Sequence, residues 1–324
     1  MQNYNKFQKI LHDLILGSKF IKKSLYELEK KIFLKNYKEE INNIKHLFIT
    51  GLPRSGTTIL LNFFYNTNQF ASFTYAQMPF ITSPNLFSKI NSKVSNEKQE
   101  RFHSDGIYFD LQSPEAFDEI FFSTFSKEEI SEEIYNFVKL ILLCQNKNRY
   151  ISKNNFNYDR IDLIANLFPY SYFIIPVRDP SQQAFSLFNQ HKNFLKLQKN
   201  DNFVRRYMSY LGHFEFGQDH KSWFKPKLFK SFDDPNYWLE QWNFFYENIY
   251  NKYNGHNRCF FLKYENLNNE NYFKGLFELL DLEKIDNKIF NISKKEITCD
   301  FNNELLIQSQ NLYNKINNEY SGSS

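Results

Sequence analysis

Residues 45–61, Lys45-His46-Leu47-Phe48-Ile49-Thr50-Gly51-Leu52-Pro53-Arg54-Ser55-Gly56-Thr57-Thr58-Ile59-Leu60-Leu61, constrain this chain more than any other stretch. A short apolar run ends in a Gly/Pro/Ser turn, and a helical apolar pattern follows. That order predicts strand, tight loop and helix. The helix N-terminus then offers N–H groups and a positive dipole end to an anion. Gly51 and Gly56 have the spacing of the phosphate-binding loop G-x-x-x-x-G-K-[ST]. Thr57 stands where that loop carries its lysine, and Arg54 is the only cation in the loop. The missing lysine is the group that reaches the β- and γ-phosphates of a nucleoside triphosphate. Without it, the loop suits one phosphate, held by the N–H groups of Ser55, Gly56, Thr57 and Thr58 and by both threonine hydroxyls. Arg54 is left to meet charge attached to that phosphate. The plain alternative is an ordinary strand-turn-helix corner.

The rest of the chain places this corner in an α/β fold. Strands are expected at 70–75, 149–152, 172–177 and 259–264. Helical patterns cover 128–146, 159–168, 181–194, most of 200–253, 270–281 and 302–316. Strands alternating with helices predict a three-layer fold, a central parallel sheet with helices on both faces. Such sheets bind ligands beyond the carboxyl ends of their strands. Gly51, Lys153, Arg178 and Tyr264 each follow a strand, so they are expected on one rim. Ser113-Pro114-Glu115 reads as a helix start, with Ser113 as cap and Glu115 in the first turn. Residues 88–102 read as an exposed helix or a lid. No repeat or linker divides the chain. One domain over 1–324 is expected, with a helical extension (1–44), a core (45–285) and a helical tail (286–324).

Composition narrows the function. A net charge of +4, from 40 basic and 36 acidic residues, is too small an excess for a nucleic-acid binder. It is compatible with a local basic cleft. Cys144, Cys259 and Cys299 lie far apart and form no CxxC pair, which points to reduced thiols and a cytoplasmic protein. His213, Glu215 and His220 match no closed metal-site spacing, and no metal is expected. Residues 1–31 read as one amphipathic helix carrying Ile10, Leu11, Leu14, Ile15, Phe20 and Ile21. Asp13 interrupts its apolar part, so no signal peptide is expected. The helix packs on the domain or, alternatively, makes a peripheral membrane or partner contact. No apolar run reaches the roughly 18 residues of a transmembrane helix. Trp223, Trp238 and Trp242 either pack in the core or stack on sugar rings.

Three further stretches follow expected strands. Arg178 leaves one, and Ser186 lies eight residues later on the next helix. A guanidinium fork with a nearby hydroxyl suits a phosphate, although Arg178-Asp179 also reads as a local ion pair. Ser152-Lys153-Asn154-Asn155 puts a lysine on the rim, or merely in an exposed loop. Lys263-Tyr264-Glu265-Asn266-Leu267 closes the last strand.

In this order the four stretches resemble the sulfotransferases that use 3′-phosphoadenosine 5′-phosphosulfate (PAPS). The resemblance covers roughly residues 45–270. Ser-Pro-Glu-Ala-Phe (113–117), Gln-His (190–191) and Leu-Gly-His-Phe-Glu-Phe-Gly (211–217) are similar to a bacterial-type subgroup. The resemblance implies transfer of a sulfonate from PAPS to a hydroxyl or amine, leaving adenosine 3′,5′-bisphosphate (PAP). It assigns the 5′-phosphate to Ser55, Gly56, Thr57 and Thr58 and the 3′-phosphate to Arg178 and Ser186. Arg54 and Lys153 would face the bridging oxygen and sulfonate. Glu265 would position loop backbone or Arg178. The chain departs from the cytosolic aryl and steroid enzymes. Ile59 replaces their tryptophan, and two asparagines follow Lys153 where they have Thr-His. The general base is therefore left to Glu115, with Glu119, Asp110 and His103 behind it, and Glu115 also reads as a simple first-turn acid. His191 reads equally as a ligand contact or a core hydrogen bond. A glycan or glycolipid is the acceptor expected from the family's breadth. A P-loop small-molecule kinase and a non-catalytic nucleotide- or glycan-binding protein are the competing readings.

Overall fold

The computed structural model describes residues 4–35, 37–88, 99–100, 108–282, 290 and 292–318. Its sheet has five parallel strands: β1 (Leu47–Ile49), β2 (Phe70–Ala71), β5 (Arg149–Lys153), β6 (Tyr172–Val177) and β7 (Cys259–Lys263). A separate antiparallel pair joins β3 (Gln99–Glu100) to β4 (Tyr108–Phe109). The order of the main sheet is β2-β5-β1-β6-β7. The short, wholly apolar β1 belongs at its centre, because a strand buried on both faces can leave no polar side chain in its middle.

Alternation along the strands sorts side chains between two cores. Leu47, Ile49, Ile174 and Leu262 pack with Leu60, Leu61 and Phe64 of α3 (Thr57–Tyr65) and Leu276 of α10 (Glu270–Leu279). Phe48, Phe173, Ile175 and Val177 face the opposite layer. That layer comprises α5 (Lys127–Gln145), α7 (Pro180–Asn200) and α9 (Pro235–Tyr253). Trp238 and Trp242 are wholly buried there, so both are core residues. From β1 the chain runs to one side of the sheet and crosses to the other at β6. The crevice beyond the end of β1 is therefore the topological switch point where such sheets take ligands.

Several expectations change. The N-terminal segment is two helices, α1 (Lys6–Gly17) and α2 (Lys19–Phe33), because Ser18 caps the second. They pack on the domain: Arg206 pairs with Asp13 of α1, and Lys23 of α2 with Glu129. Between α8 (Asn202–Tyr210) and α9 the chain is not helical. Residues 113–119 do not start a helix at Ser113. Pro114 bridges to Thr74, and the Glu115 N–H donates to the Phe73 carbonyl at 3.0 Å. The Ser113 hydroxyl donates to Asp110, and the helix α4 (Glu119–Thr124) starts only after this stretch. The same pairing explains why β2 stops at Ala71: residues 73–75 bond to 113–115 instead. Of the expected lid at 88–102, only Ser88, Gln99 and Glu100 lie among the described residues, the last two as β3. The helical tail appears as α11 (Asn303–Asn318). No helix among the described residues is long and apolar enough to cross a membrane.

Candidate active site

Because all five strands are parallel, their carboxyl ends share one rim. Gly51 follows β1, Lys153 ends β5, Arg178 follows β6 and Tyr264 follows β7. The loop after β1 turns through Arg54 at φ 70° and Gly56 at φ 100°. Gly56 is the N-cap of α3, and no side chain caps that helix. A Cβ at Gly56 would stand 2.7 Å from the Tyr264 ring, so glycine is required both by its backbone and by its neighbour. Thr57 and Thr58, both buried, open the helix. The Ser55 hydroxyl donates to the Leu52 carbonyl at 2.8 Å and fixes the turn from inside.

Arg178 reaches the same loop from β6. Its Nη1 donates to the Arg54 carbonyl at 3.2 Å and its Nη2 to the Ser293 carbonyl at 2.6 Å. The guanidinium lies 4.7 Å from the Tyr264 ring centroid, and Nε is buried without a partner. No Arg178-Asp179 ion pair forms: Asp179 instead caps α7 by accepting from the Gln182 N–H. Glu265 accepts from the Asp179 N–H at 3.0 Å, so it positions the backbone just past Arg178. Ser186 on α7 is buried and accepts from Arg54 Nε at 3.1 Å. Arg54 thus spans from the phosphate-type loop to the Arg178 side of the rim. Gln183 holds the loop from beneath, with Nε2 donating to the Pro53 carbonyl at 3.0 Å.

Lys153 pairs in register with Ile49 beside the end of β1, and its ammonium lies 3.6 Å from the Glu115 carboxylate. Both side chains are about nine-tenths buried, with 8% and 10% exposed. The next residues brace this corner. Asn154 Nδ2 donates to Glu119 at 2.7 Å and to Asp118 at 3.3 Å. Burial pushes the Asp118 carboxyl up to about 6 against the hydrogen bond it accepts from Ser152. Glu119 is engaged by both terminal nitrogens of Arg160 at 2.6 and 2.8 Å. Asp110 accepts from the Gln112 N–H and the Ser113 hydroxyl in a local turn. His103 falls outside the described residues. His191 accepts from the Gly217 N–H and sits against Trp238, so it belongs to the core. No group of His, Cys, Asp or Glu among the described residues is arranged to hold a metal. From the sequence, His213 and Glu215 belong to the 211–217 stretch of the subgroup resemblance and are weighed chemically as metal ligands, with no role as a pair. The structure pairs them, at 3.2 Å; their spacing two apart, with Asn155 near Lys153, was the available signal.

The fold is a three-layer α/β fold whose strand-loop-helix corner, at 47–65, opens on this rim. Residues 46–286 match the model described as "Sulfotransferase family". That span is most of the chain, and the protein belongs to the family, whose chemistry is sulfonate transfer. No curated protein matches it. Among solved structures it is similar to sulfotransferase STF1 of Mycobacterium tuberculosis H37Rv, with 11% identity, 86% of this chain and 78% of that one covered, and a TM-score of 0.50. Sulfotransferase STF9 of Mycobacterium avium shares 13% identity over 96% and 78% of the two chains, TM-score 0.45. The sulfotransferase domain of the Synechococcus PCC 7002 olefin synthase shares 13% over 87% and 90%, TM-score 0.36.

Proposed function

We propose that the protein transfers a sulfonate from PAPS to a hydroxyl of a glycan or glycolipid, releasing PAP. One observation carries the reading: an uncapped helix N-terminus and a buried Arg178 with an orphaned Nε face the same loop. This supports a reading as two neighbouring anion sites, which a nucleotide with separate 5′ and 3′ phosphates requires. Ser55, Gly56, Thr57 and Thr58 hold the 5′-phosphate through backbone N–H groups and hydroxyls. Arg178 and Ser186 take the 3′-phosphate, with a fork geometry suited to phosphate oxygens. Lys153 and Arg54 meet charge at the sulfonate and the bridging oxygen, and Glu115 holds Lys153 in place beside the reacting centre. In-line transfer then rests on positioning and fixed charge. Lys and Arg supply that charge without a metal.

Calorimetry without magnesium tests the donor. PAP is expected to bind at least tenfold more tightly than ADP or ATP. Tighter binding of ATP would return a kinase to first place. PAP binding without transfer to any member of a phenol and glycoside panel would leave a non-catalytic binding protein.

The acceptor reading extends to the N-terminal helices. Phe7, Ile10, Leu14 and Phe20 are 72%, 55%, 55% and 79% exposed, with Lys6 and Lys19 beside them. We propose a peripheral contact with an anionic membrane surface from the cytoplasmic side, where a glycolipid hydroxyl would be presented. The protein is expected to sediment with phosphatidylserine-containing vesicles at low salt, and Phe7→Ser with Phe20→Ser is expected to remain in the supernatant. Wild-type protein left in the supernatant would exclude this contact.

A further inference from the structure

The segment beyond α8 brings a second ionisable pair to the rim. His213 Nδ1 lies 3.3 and 3.2 Å from the two carboxylate oxygens of Glu215. Glu215 is buried and accepts from Asn155 Nδ2 at 3.1 Å. Asn155 stands two residues past Lys153, so this bond ties the pair to the end of β5. Gly212, at φ +71°, lets the chain pass close to Glu119: a Cβ there would meet Glu119 Cγ at 2.6 Å. The His213 N–H closes α8 on the Met208 carbonyl at 2.9 Å. Through Glu215 and Asn155, the imidazole is tethered to the segment that directly follows Lys153. About a quarter of its side chain, 24%, stays accessible. Nε2 has no hydrogen-bond partner among the described residues.

We propose that His213, oriented by Glu215, is the base that takes the acceptor proton. This rests on the sulfonate-transfer reading above. Nδ1–H donates to Glu215, which leaves the Nε2 lone pair for the acceptor hydroxyl. The acceptor O–H proton passes to Nε2 as the acceptor oxygen bonds to sulfur. The bond from sulfur to the bridging oxygen breaks, and its electron pair leaves on the 5′-phosphate of PAP. His213 then returns its proton to solvent. Glu115 is already the ion-pair partner of Lys153, 3.6 Å from its ammonium, and is assigned to holding that lysine. Burial disfavours a charged imidazole, but the Glu215 carboxylate outweighs burial and raises the proton affinity of His213, with Lys153 opposing and Glu115 adding to it. The neutral, basic form therefore appears as pH rises through a value above the ordinary histidine range. Glu215→Gln removes the main raising charge, so the same transition must move to lower pH.

The test follows release of labelled sulfonate from PAPS, to water and to the phenol and glycoside panel, across pH. Wild type, His213→Gln, Glu215→Gln and Glu115→Gln are compared, with PAP binding by calorimetry as the control for folding and donor site. His213→Gln is expected to lose roughly 10²-fold or more in rate and its alkaline-rising limb, with PAP affinity within about threefold of wild type. Glu215→Gln is expected to keep a rising limb, displaced toward acid. A limb that disappears in Glu115→Gln but persists in His213→Gln overturns the assignment and gives the base to Glu115. Rates in His213→Gln equal to wild type overturn it as well. PAP binding without transfer by wild type overturns the catalytic reading itself, and loss of PAP preference overturns the donor.

Discussion

Arg178→Ala is expected to weaken PAP binding by roughly 30- to 3,000-fold, the factor for removing one partner of a buried charge-assisted contact. The side chain is set in advance. Two of its nitrogens are fixed on the Arg54 and Ser293 carbonyls, its plane lies over Tyr264, and Nε is left over. A ligand phosphate arriving there meets an ordered guanidinium and loses little to rearrangement. The control is ADP, which lacks the 3′-phosphate. Arg178 also braces the loop through the Arg54 carbonyl, so some loss is expected for ADP too; the excess for PAP isolates the phosphate contact. Arg178→Lys is expected to recover little, since an ammonium neither stacks on Tyr264 nor bonds three partners from one plane. Equal losses for PAP and ADP by calorimetry would reduce Arg178 to a brace.

Much of this site was readable because it lies where strands end. An apolar run, a glycine turn and a cation locate a residue on the rim whatever surrounds it, so Gly51, Lys153, Arg178 and Tyr264 share the rim as their order implied. The parallel sheet followed from the same alternation. What failed depended on distant partners. Ser113-Pro114-Glu115 has every local mark of a helix start, yet the 73–75 segment offers it backbone bonds, and tertiary pairing overrides propensity. The pairing of Glu119 with Arg160, 41 residues on, has no local pattern at all. Ser18 was different: its capping power was visible, but a continuous run of helix-formers on both sides hid the break. The His213–Glu215 pair is visible in the sequence as a spacing within the 211–217 stretch, but nothing local says that the two side chains meet. Its tie to the end of β5 runs through Asn155, which only the fold brings beside it.

Lys153→Ala is expected to lower the transfer rate by roughly 10²- to 10³-fold, the scale for removing one preorganised charge-stabilising donor. PAP affinity is expected to stay within about threefold, because PAP lacks the sulfonate that Lys153 would face. A second effect must be separated from this one. Lys153 and Glu115 are both nearly buried, and breaking a buried pair from one side is destabilising by roughly 3–5 kcal/mol. Lys153→Ala alone therefore confounds a missing catalytic charge with a stranded carboxylate. The double variant Lys153→Met with Glu115→Gln removes both charges, and a matched apolar or neutral replacement of a buried pair is often neutral for stability. It is expected to melt near wild type and to bind PAP, yet to transfer at the depressed rate of Lys153→Ala. That combination is what a lysine acting on the reacting group produces. Recovery of the rate along with the melting temperature would instead make the pair a structural clamp and move the positive charge on the sulfonate to Arg54.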